Sequence, residues 1–145
     1  MTVEIKYIGF SGFELTSDKG IKILIDPFIT ENPTTSIKVD DIEETDIVLL
    51  SHGLCDHGFD DGIAIAKKTG ATLVCTLDLA HYAVEKYGLD RSKIKFSAWG
   101  ATYEIKGIKI RAVPAMHGST VTYNDKYISY LAAGLMIYTE SDNRI

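Results

Sequence analysis

Short stretches of apolar residues, alternating or continuous, recur along the chain and predict strands. Residues 3–8 alternate between apolar and polar side chains, residues 13–15 continue after a glycine-flanked turn, and residues 21–25 follow a turn at 18–20. These three segments predict an antiparallel meander. The run 46–50 is apolar on both faces, which is typical of a central strand covered by other layers.

Two helical patterns interrupt the strands in the middle of the chain. Residues 60–70 open with acidic residues and close with lysines and a glycine, an order that suits the helix dipole, and residues 78–88 also end at a glycine. Strands at 46–50 and 71–76 flank the first helix, so they should be parallel. The pattern predicts an α+β or layered α/β fold, a mixed sheet with helices on one face.

Further strands are predicted towards the end of the chain, at residues 93–96, 101–105, 108–113 and 131–139. Tyr123, Tyr127 and Tyr130 flank a polar loop with Asn124 and Asp125. We expect these tyrosines to pack at an edge of the fold, and contact with a substrate or a partner subunit is the alternative. No internal repeat interrupts this order of elements.

The composition is that of one ordinary globular domain, which we predict to span residues 1–145. Of the 145 residues, 46% are hydrophobic and 24% charged, which suffices for a buried core. The net charge of −5 disfavours a general affinity for nucleic acid or anionic lipid, so we expect small-molecule or protein partners. Because we find neither a membrane-spanning stretch nor a signal-peptide core, we expect a cytoplasmic location.

A dense cluster of metal-binding side chains directly follows the central strand. Its ligand candidates are His52, Cys55, Asp56 and His57. Imidazole, thiolate and carboxylate groups bind divalent transition metals, and a loop that leaves a buried strand can aim them at one point. The spacing matches no common zinc signature, so the cluster alone is equally compatible with ordinary turn residues. The other cysteine, Cys75, lies in a predicted buried strand, and we interpret it as a core thiol.

A second polar loop leaves a strand in the same manner. Residues 114–119 follow the strand at 108–113 and contain His117. On its own, His117 would more often be a surface histidine in a turn, but its position matches that of His52 and favours a shared site. A serine hydrolase is disfavoured, because Gly9–Phe13 lacks the helix that follows a nucleophile elbow.

In this order, the motifs resemble the metallo-β-lactamase superfamily. The resemblance rests on four segments: Ile23 to Phe28, Leu49 to Gly58, Ala64 to Thr72 and Val113 to Ser119. It covers nearly the whole chain. Within the superfamily, the sequence is most similar to small metal-dependent hydrolases akin to the L-ascorbate-6-phosphate lactonases.

The resemblance implies an αββα sandwich, of which this chain is about half, with one or two zinc, manganese or iron ions at the strand ends. By matching positions, His52 and His117 would bind one ion, and Asp56 and His57 the other. Asp26 would accept a hydrogen bond that orients a ligand histidine. The ions would activate water for the hydrolysis of an ester, lactone or phosphodiester, and Asp56 would position that water and accept its proton.

Three departures from the family pattern bear on this expectation. Leu54 stands where the family has the second histidine of its loop, and Cys55 could replace that ligand only if the loop rotated. Phe10 stands where relatives usually carry a histidine. The sequence ends at Ile145, before the family's bridging aspartate and last histidine. The chain could therefore supply two ligands to each of two ions, or His52, Asp56, His57 and His117 to one ion.

Three functional hypotheses stay open: a metal-dependent hydrolase, a binding or structural relative without catalysis, and one half of a split enzyme. Leu54 favours the second over the third, because half of an active enzyme should have kept its histidine. Half a sandwich should also expose a broad apolar sheet face. We therefore expect a homo-oligomer, most simply a two-fold dimer whose sheets pack face to face.

Overall fold

The larger sheet has six strands that follow one another in space as they do in sequence. The structure is a computed structural model that describes residues 2–145. The strands are β1 (Glu4–Gly9), β2 (Gly12–Thr16), β3 (Lys22–Ile25), β4 (Ile47–Leu49), β5 (Thr72–Cys75) and β6 (Ile94–Phe96). β1 to β3 are antiparallel and β3 to β6 are parallel. The predicted meander and the predicted parallel pair are both confirmed.

Two helices cover one face of this sheet. They are α1 (Phe59–Thr69), between β4 and β5, and α2 (Leu77–Tyr87), between β5 and β6. Val48 and Leu50 pack in the core beneath the helices, whereas the alternate side chains Ile47 and Leu49 lie on the opposite face. The central strand is therefore buried on both sides, as its apolar run predicted. Within residues 2–145, no helix has the length and apolar character needed to cross a bilayer.

A smaller antiparallel sheet covers the other face of the first sheet. Its strands are β7 (Thr102–Ile105), β8 (Ile108–Pro114) and β11 (Ala133–Tyr138), in the order β11-β8-β7. Ile108, Ile110 and Ile137 pack from this sheet into one core with Leu15 and Ile23. The described chain thus has three layers, helices, sheet and sheet, which confirms the layered fold class. The expectation of a broad exposed sheet face is wrong, because the chain supplies its own second sheet.

The second sheet leaves a short apolar strip of the first sheet exposed. Ile5 and Tyr7 on β1 share a face with their β2 partners Leu15 and Phe13. Leu15 is fully buried, but Ile5, Tyr7 and Phe13 are exposed, Tyr7 to 61%. Tyr7 and Phe13 contact each other with ring centroids 5.3 Å apart. We call Ile5, Tyr7 and Phe13 the apolar edge strip.

The tyrosine-rich segment forms a hairpin: the predicted polar loop at Asn124 and Asp125 is its turn, and the two strands beside it were not predicted. β9 (Thr120–Tyr123) and β10 (Lys126–Ser129) pair antiparallel, with Tyr127 opposite Thr122. The connecting residues Asn124 and Asp125 both have positive φ, as a two-residue type I′ turn requires. Asn and Asp adopt this left-handed conformation more readily than other side chains, so the turn was encoded locally.

A buried carboxylate fastens the last residues to the turn between β2 and β3. Asp18 accepts hydrogen bonds from the Thr139 hydroxyl (3.1 Å), the Ser141 amide (3.0 Å) and the Asn143 side chain (3.1 Å). These bonds, foremost those from Ser141, lower the pKa of the Asp18 carboxyl below its ordinary value. The charged form of Asp18 therefore stabilises the fold at this end of the molecule.

We predict that Asp18→Asn destabilises the protein at neutral pH and that this difference disappears in acid. The folded-state pKa is depressed, so the stabilisation is present above the ordinary pKa of an aspartate and is lost as the pH falls through the folded-state value. Urea unfolding midpoints measured from neutral to strongly acidic pH check this. Glu43→Gln removes the same charge from an exposed position and should give the wild-type profile. A constant difference between Asp18→Asn and wild type at all pH values would contradict the prediction.

Candidate metal centre

The candidate site lies where strands of both sheets end. Asp26 directly follows β3, and Ser51 and His52 come shortly after β4. Because β3 and β4 are parallel neighbours, their carboxyl ends meet at one edge of the sheet. His117 lies in the loop between β8 and β9 and reaches the same edge from the second sheet.

Three imidazoles converge at this edge. The ring centroid of His52 lies 4.1 Å from that of His57 and 4.2 Å from that of His117, and the last two are 5.6 Å apart. One nitrogen from each ring lies within 4.8 Å of the others. His52 is buried, His57 is half-buried and His117 is exposed. The trio therefore forms a shallow site with a buried floor and an open side.

A hydrogen-bond relay from Asp26 fixes the tautomer of His52. Asp26 accepts one bond from the Ser51 amide (2.8 Å) and another from the Ser51 hydroxyl (2.6 Å). The Ser51 hydroxyl hydrogen is thereby used, so Ser51 Oγ must accept from Nδ1 of His52 at 2.7 Å. The proton on Nδ1 leaves the lone pair of His52 on Nε2. This is the arrangement a ligand histidine needs, and Asp26 is linked to His52 through Ser51.

Burial and charge move the pKa values of two histidines in opposite directions. Burial, together with the neighbouring His57, lowers the pKa of His52 to about 4, so His52 is neutral at pH 7. The carboxylate of Asp26 raises the pKa of His57. Nδ1 of His57 lies 3.7 Å from that carboxylate, which is too long for a hydrogen bond, so the carboxylate acts by electrostatic attraction on the protonated ring.

The three imidazoles fit a divalent transition-metal ion. Nε2 of His52 and Nδ1 of His57 are buried and have no hydrogen-bond partner in the described part of the chain. A buried polar atom without a partner is costly. A cation would satisfy the lone pair on Nε2 of His52, and it would satisfy one on His57 when that ring is neutral. Catalytic zinc sites commonly use three protein ligands and leave one position open. The donor nitrogens of the three imidazoles lie within 4.8 Å of one another, so the three rings would draw closer together to hold one ion.

Other residues proposed from the sequence lie around this trio without joining it. Asp56 and Cys55 are exposed, and neither belongs to the group of donor atoms within 4.8 Å. Leu54 is half-buried at the start of the short 3-10 turn Cys55–His57. Phe10 has a positive φ in the turn between β1 and β2 and packs edge-on against Phe28, with ring centroids 5.2 Å apart.

Three polar residues hydrogen-bonded in or beside the His52 loop were not predicted from the sequence as part of the site: Ser51, Asp78 and Ser119. Ser51 was part of the recognised run, but nothing in its spacing indicated a relay to Asp26. Ser119 contacts Asp78, 41 positions away in the sequence, and both are buried. The only signal in the sequence was the presence of a serine or an aspartate in a predicted loop or at a predicted helix start.

Gly58 lets the histidine loop approach the segment that follows β3. Its φ is +67°, and a Cβ atom there would lie 2.2 Å from the carbonyl oxygen of Pro27. Gly58 ends the short turn that contains His57 and also begins α1. The backbone at Gly58 therefore sets how close His57 comes to Asp26.

Comparison with known proteins gives one consistent family. The model of the beta-lactamase superfamily domain matches residues 4–140. A protein of Thermococcus onnurineus named UPF0173 metal-dependent hydrolase is 38% identical over 136 residues, 93% of this chain and 56% of that protein. A protein of the same name from Rubrobacter xylanophilus is 36% identical over 121 residues, 83% of this chain and 48% of that protein. The chain thus spans about half the length of the curated relatives it matches.

A solved structure supports the same fold. A motif variant of a metallo-beta-lactamase from Cronobacter sakazakii superposes with a TM-score of 0.59 and 15% sequence identity. The match covers 99% of this chain and 62% of that protein. At this identity the likeness shows the fold alone.

We predict that Gly58→Ala is far more destabilising than Gly70→Ala. Both glycines have left-handed φ, but a Cβ at Gly58 would collide with backbone, whereas no atom lies within 4 Å of a Cβ at Gly70. Gly70→Ala should cost about 1 kcal/mol from backbone strain alone, and Gly58→Ala at least about 3 kcal/mol. Urea unfolding of the two variants measures this difference. Equal losses of stability would show that the close approach at Gly58 is not a constraint.

Proposed function

The chain belongs to the beta-lactamase superfamily, and we propose that it forms a metal-dependent hydrolase site with one ion held by His52, His57 and His117. The observation that supports this most directly is the convergence of three imidazoles with two buried, unpartnered ring nitrogens among the described residues. The name metal-dependent hydrolase, given to relatives such as the Thermococcus onnurineus protein, points the same way.

A single ion suits the geometry better than the division of ligands over two ions. His57 lies as close to His52 as His117 does, so it is available to the same ion. Asp56, the proposed partner of His57 at a second ion, is exposed and outside the trio. Three imidazoles would leave one coordination position for water or substrate. Zinc is the first candidate and manganese or iron the alternatives, since imidazole suits several of these metals.

The roles of the chain's own residues follow from their positions. A bound divalent cation would lower the pKa of a water molecule and stabilise negative charge that develops on an ester, lactone or phosphodiester oxygen. Asp26, through Ser51, keeps the proton of His52 on Nδ1 and its lone pair on Nε2. Asp56, next to His57 and exposed, is the proposed base that accepts a proton from the attacking water. The open side at His117 is where a small-molecule substrate would enter.

Leu54 supports a second candidate, a binding or structural relative without turnover. The family pattern has a ligand histidine at this position, and a leucine side chain cannot bind a metal. A chain that lacks this ligand could keep a weak metal site, or none, and still keep the fold. The two candidates differ in whether the wild-type protein binds an ion stoichiometrically.

We predict that the wild-type chain binds one zinc or manganese ion through the three histidines. Elemental analysis after reconstitution of metal-free protein, with calorimetric titration, measures this. His52→Ala, His57→Ala and His117→Ala should each weaken binding by about tenfold or more. His81→Ala changes an exposed helix histidine outside the trio and should bind as wild type does. A wild type that binds no ion, or a His117→Ala variant with unchanged affinity, would contradict the hydrolase proposal.

The same titration of Leu54→His separates the two candidates. If the wild type binds nothing and Leu54→His binds one ion, the chain is a relative that has lost its metal. Stoichiometric metal in the wild type, with only tighter binding in Leu54→His, favours the hydrolase.

We also propose a cytoplasmic location and a two-fold homodimer. Cys55 and Cys75 are both free thiols, which suits a reducing compartment. The apolar edge strip offers Tyr7 and Phe13 to a partner, and a second copy would present the same strip in return.

We predict that sedimentation velocity at micromolar concentration finds a dimer. Tyr7→Lys places a charge in the apolar edge strip and should weaken the dimer by about tenfold or more. Tyr127→Lys, at an exposed tyrosine of the hairpin outside the strip, should leave it unchanged. A wild-type monomer would overturn the proposal.

A further inference from the structure

We propose that Asp78 is a positioning residue for the metal centre, acting through Ser119 to hold the His52 and His117 loops together. The inference rests on the proposed function, because it concerns the same histidines. Asp78 lies in the first turn of α2, and Ser119 lies two residues after His117. Neither residue belongs to the histidine trio, and the relay from Asp26 reaches neither.

The hydrogen bonds that link Gly53, Ser119 and Asp78 have a fixed donor-to-acceptor direction. The hydroxyl of Ser119 donates to Oδ2 of Asp78 at 2.8 Å. Its only hydrogen is then used, so Ser119 Oγ is an acceptor for the backbone amide of Gly53, which donates to it at 2.8 Å. Gly53 directly follows His52. Asp78 therefore sets the orientation of the Ser119 hydroxyl, whose oxygen accepts the hydrogen bond from the His52 loop.

A second hydrogen bond joins the two loops; we call this bond and the one from Gly53 to Ser119 the clamp. The amide of Thr120 donates to the carbonyl oxygen of Gly53 at 2.7 Å. Both polar backbone groups of Gly53 are thus bonded to the segment Ser119 and Thr120. Two bonds on one residue restrict rotation as well as separation, so they set the register between the loop of His52 and the loop of His117.

The clamp is buried and closely packed. Asp78 is 2% exposed and Ser119 is 3% exposed. A Cβ on Gly53 would lie 2.6 Å from a methyl group of Val121 and 3.2 Å from Oδ2 of Asp78. Water cannot reach these buried groups to replace a lost partner. Removal of one side chain therefore leaves the remaining hydrogen-bonding groups unsatisfied.

His117 depends on this clamp more than His52 does. His52 is buried and is held by Ser51, whereas His117 is exposed and its Nδ1 lies 3.0 Å from the carbonyl oxygen of the adjacent Gly118. To hold one ion, the three rings would have to draw together, and His117 is the exposed one. A loop held at Ser119 keeps that movement small and lowers the entropy lost on binding.

The test compares five proteins with two readouts. Wild type, Asp78→Ala, Asp78→Asn, Ser119→Ala and Asp18→Ala are each examined without metal and then titrated with zinc. The first readout is the nuclear Overhauser effect between the His52 and His117 ring protons in metal-free protein, whose ring centroids are 4.2 Å apart. The second is zinc affinity. Asp18→Ala is the matched control, because Asp18 is another buried carboxylate with hydrogen bonds to a distant segment.

The proposal expects loss of the Overhauser effect and about tenfold or more weaker zinc binding in Asp78→Ala and Ser119→Ala. Asp78→Asn keeps an oxygen that can accept from Ser119, so its affinity should stay within about threefold of wild type. Asp18→Ala should lower the thermal midpoint and change neither readout.

Three results would overturn the positioning role: an intact Overhauser effect and affinity in Asp78→Ala, losses in Asp78→Asn as large as in Asp78→Ala, or equal losses in Asp18→Ala. If Asp78→Ala does not fold, Ser119→Ala, which removes a single hydroxyl, decides. A wild type that binds neither zinc nor manganese refutes the proposed function, and the Overhauser effect then decides the positioning role alone.

Discussion

The paired hydrogen bonds from Ser51 to Asp26 are the interaction on which the candidate site depends. They join the end of β3 to the end of β4, and they occupy both oxygens of a buried carboxylate. A buried carboxylate without partners would cost about 1–3 kcal/mol or more, so the chain keeps this contact wherever it folds as described. The contact places Ser51 beside His52 and brings a negative charge near His57. The ligand geometry thus begins with a bond between strand ends.

The second constraint on the site is the close approach of the histidine loops to neighbouring segments. Gly58 and Gly53 stand where a Cβ atom would meet neighbouring atoms at 2.2 and 2.6 Å. The first glycine brings the His57 turn against Pro27, and the second brings the His52 loop against β9. A metal site needs its ligands within a few ångströms, so the loops that present them must approach closely. The loops can approach this closely because glycine, which has no side chain, stands at both contact points.

Much of the fold followed from the sequence because the periodicity of side chains reports burial. The alternating β1, the apolar β4 and the acidic-to-basic order of α1 were all predicted within a few residues of their observed bounds. The second sheet was not predicted as a cover for the first. Alternation in β8 shows that one face is buried but not against which layer. The β9–β10 hairpin was missed although Asn124 and Asp125 gave a turn signal, because its strands are short and half-exposed.

The sequence by itself determined the family, most of the elements in their order and the candidate ligands His52, Asp56, His57 and His117. Tertiary structure decided which of them meet: it brings His57 together with His52 and His117 and leaves Asp56 in solvent. It also places Ser51 against His52 and joins Ser119 to both Asp78 and Gly53, the residue after His52. The reason is physical. Local sequence fixes the conformation of each loop, but the distance between loops depends on how the two sheets pack, and that packing is set by side chains far apart in the chain.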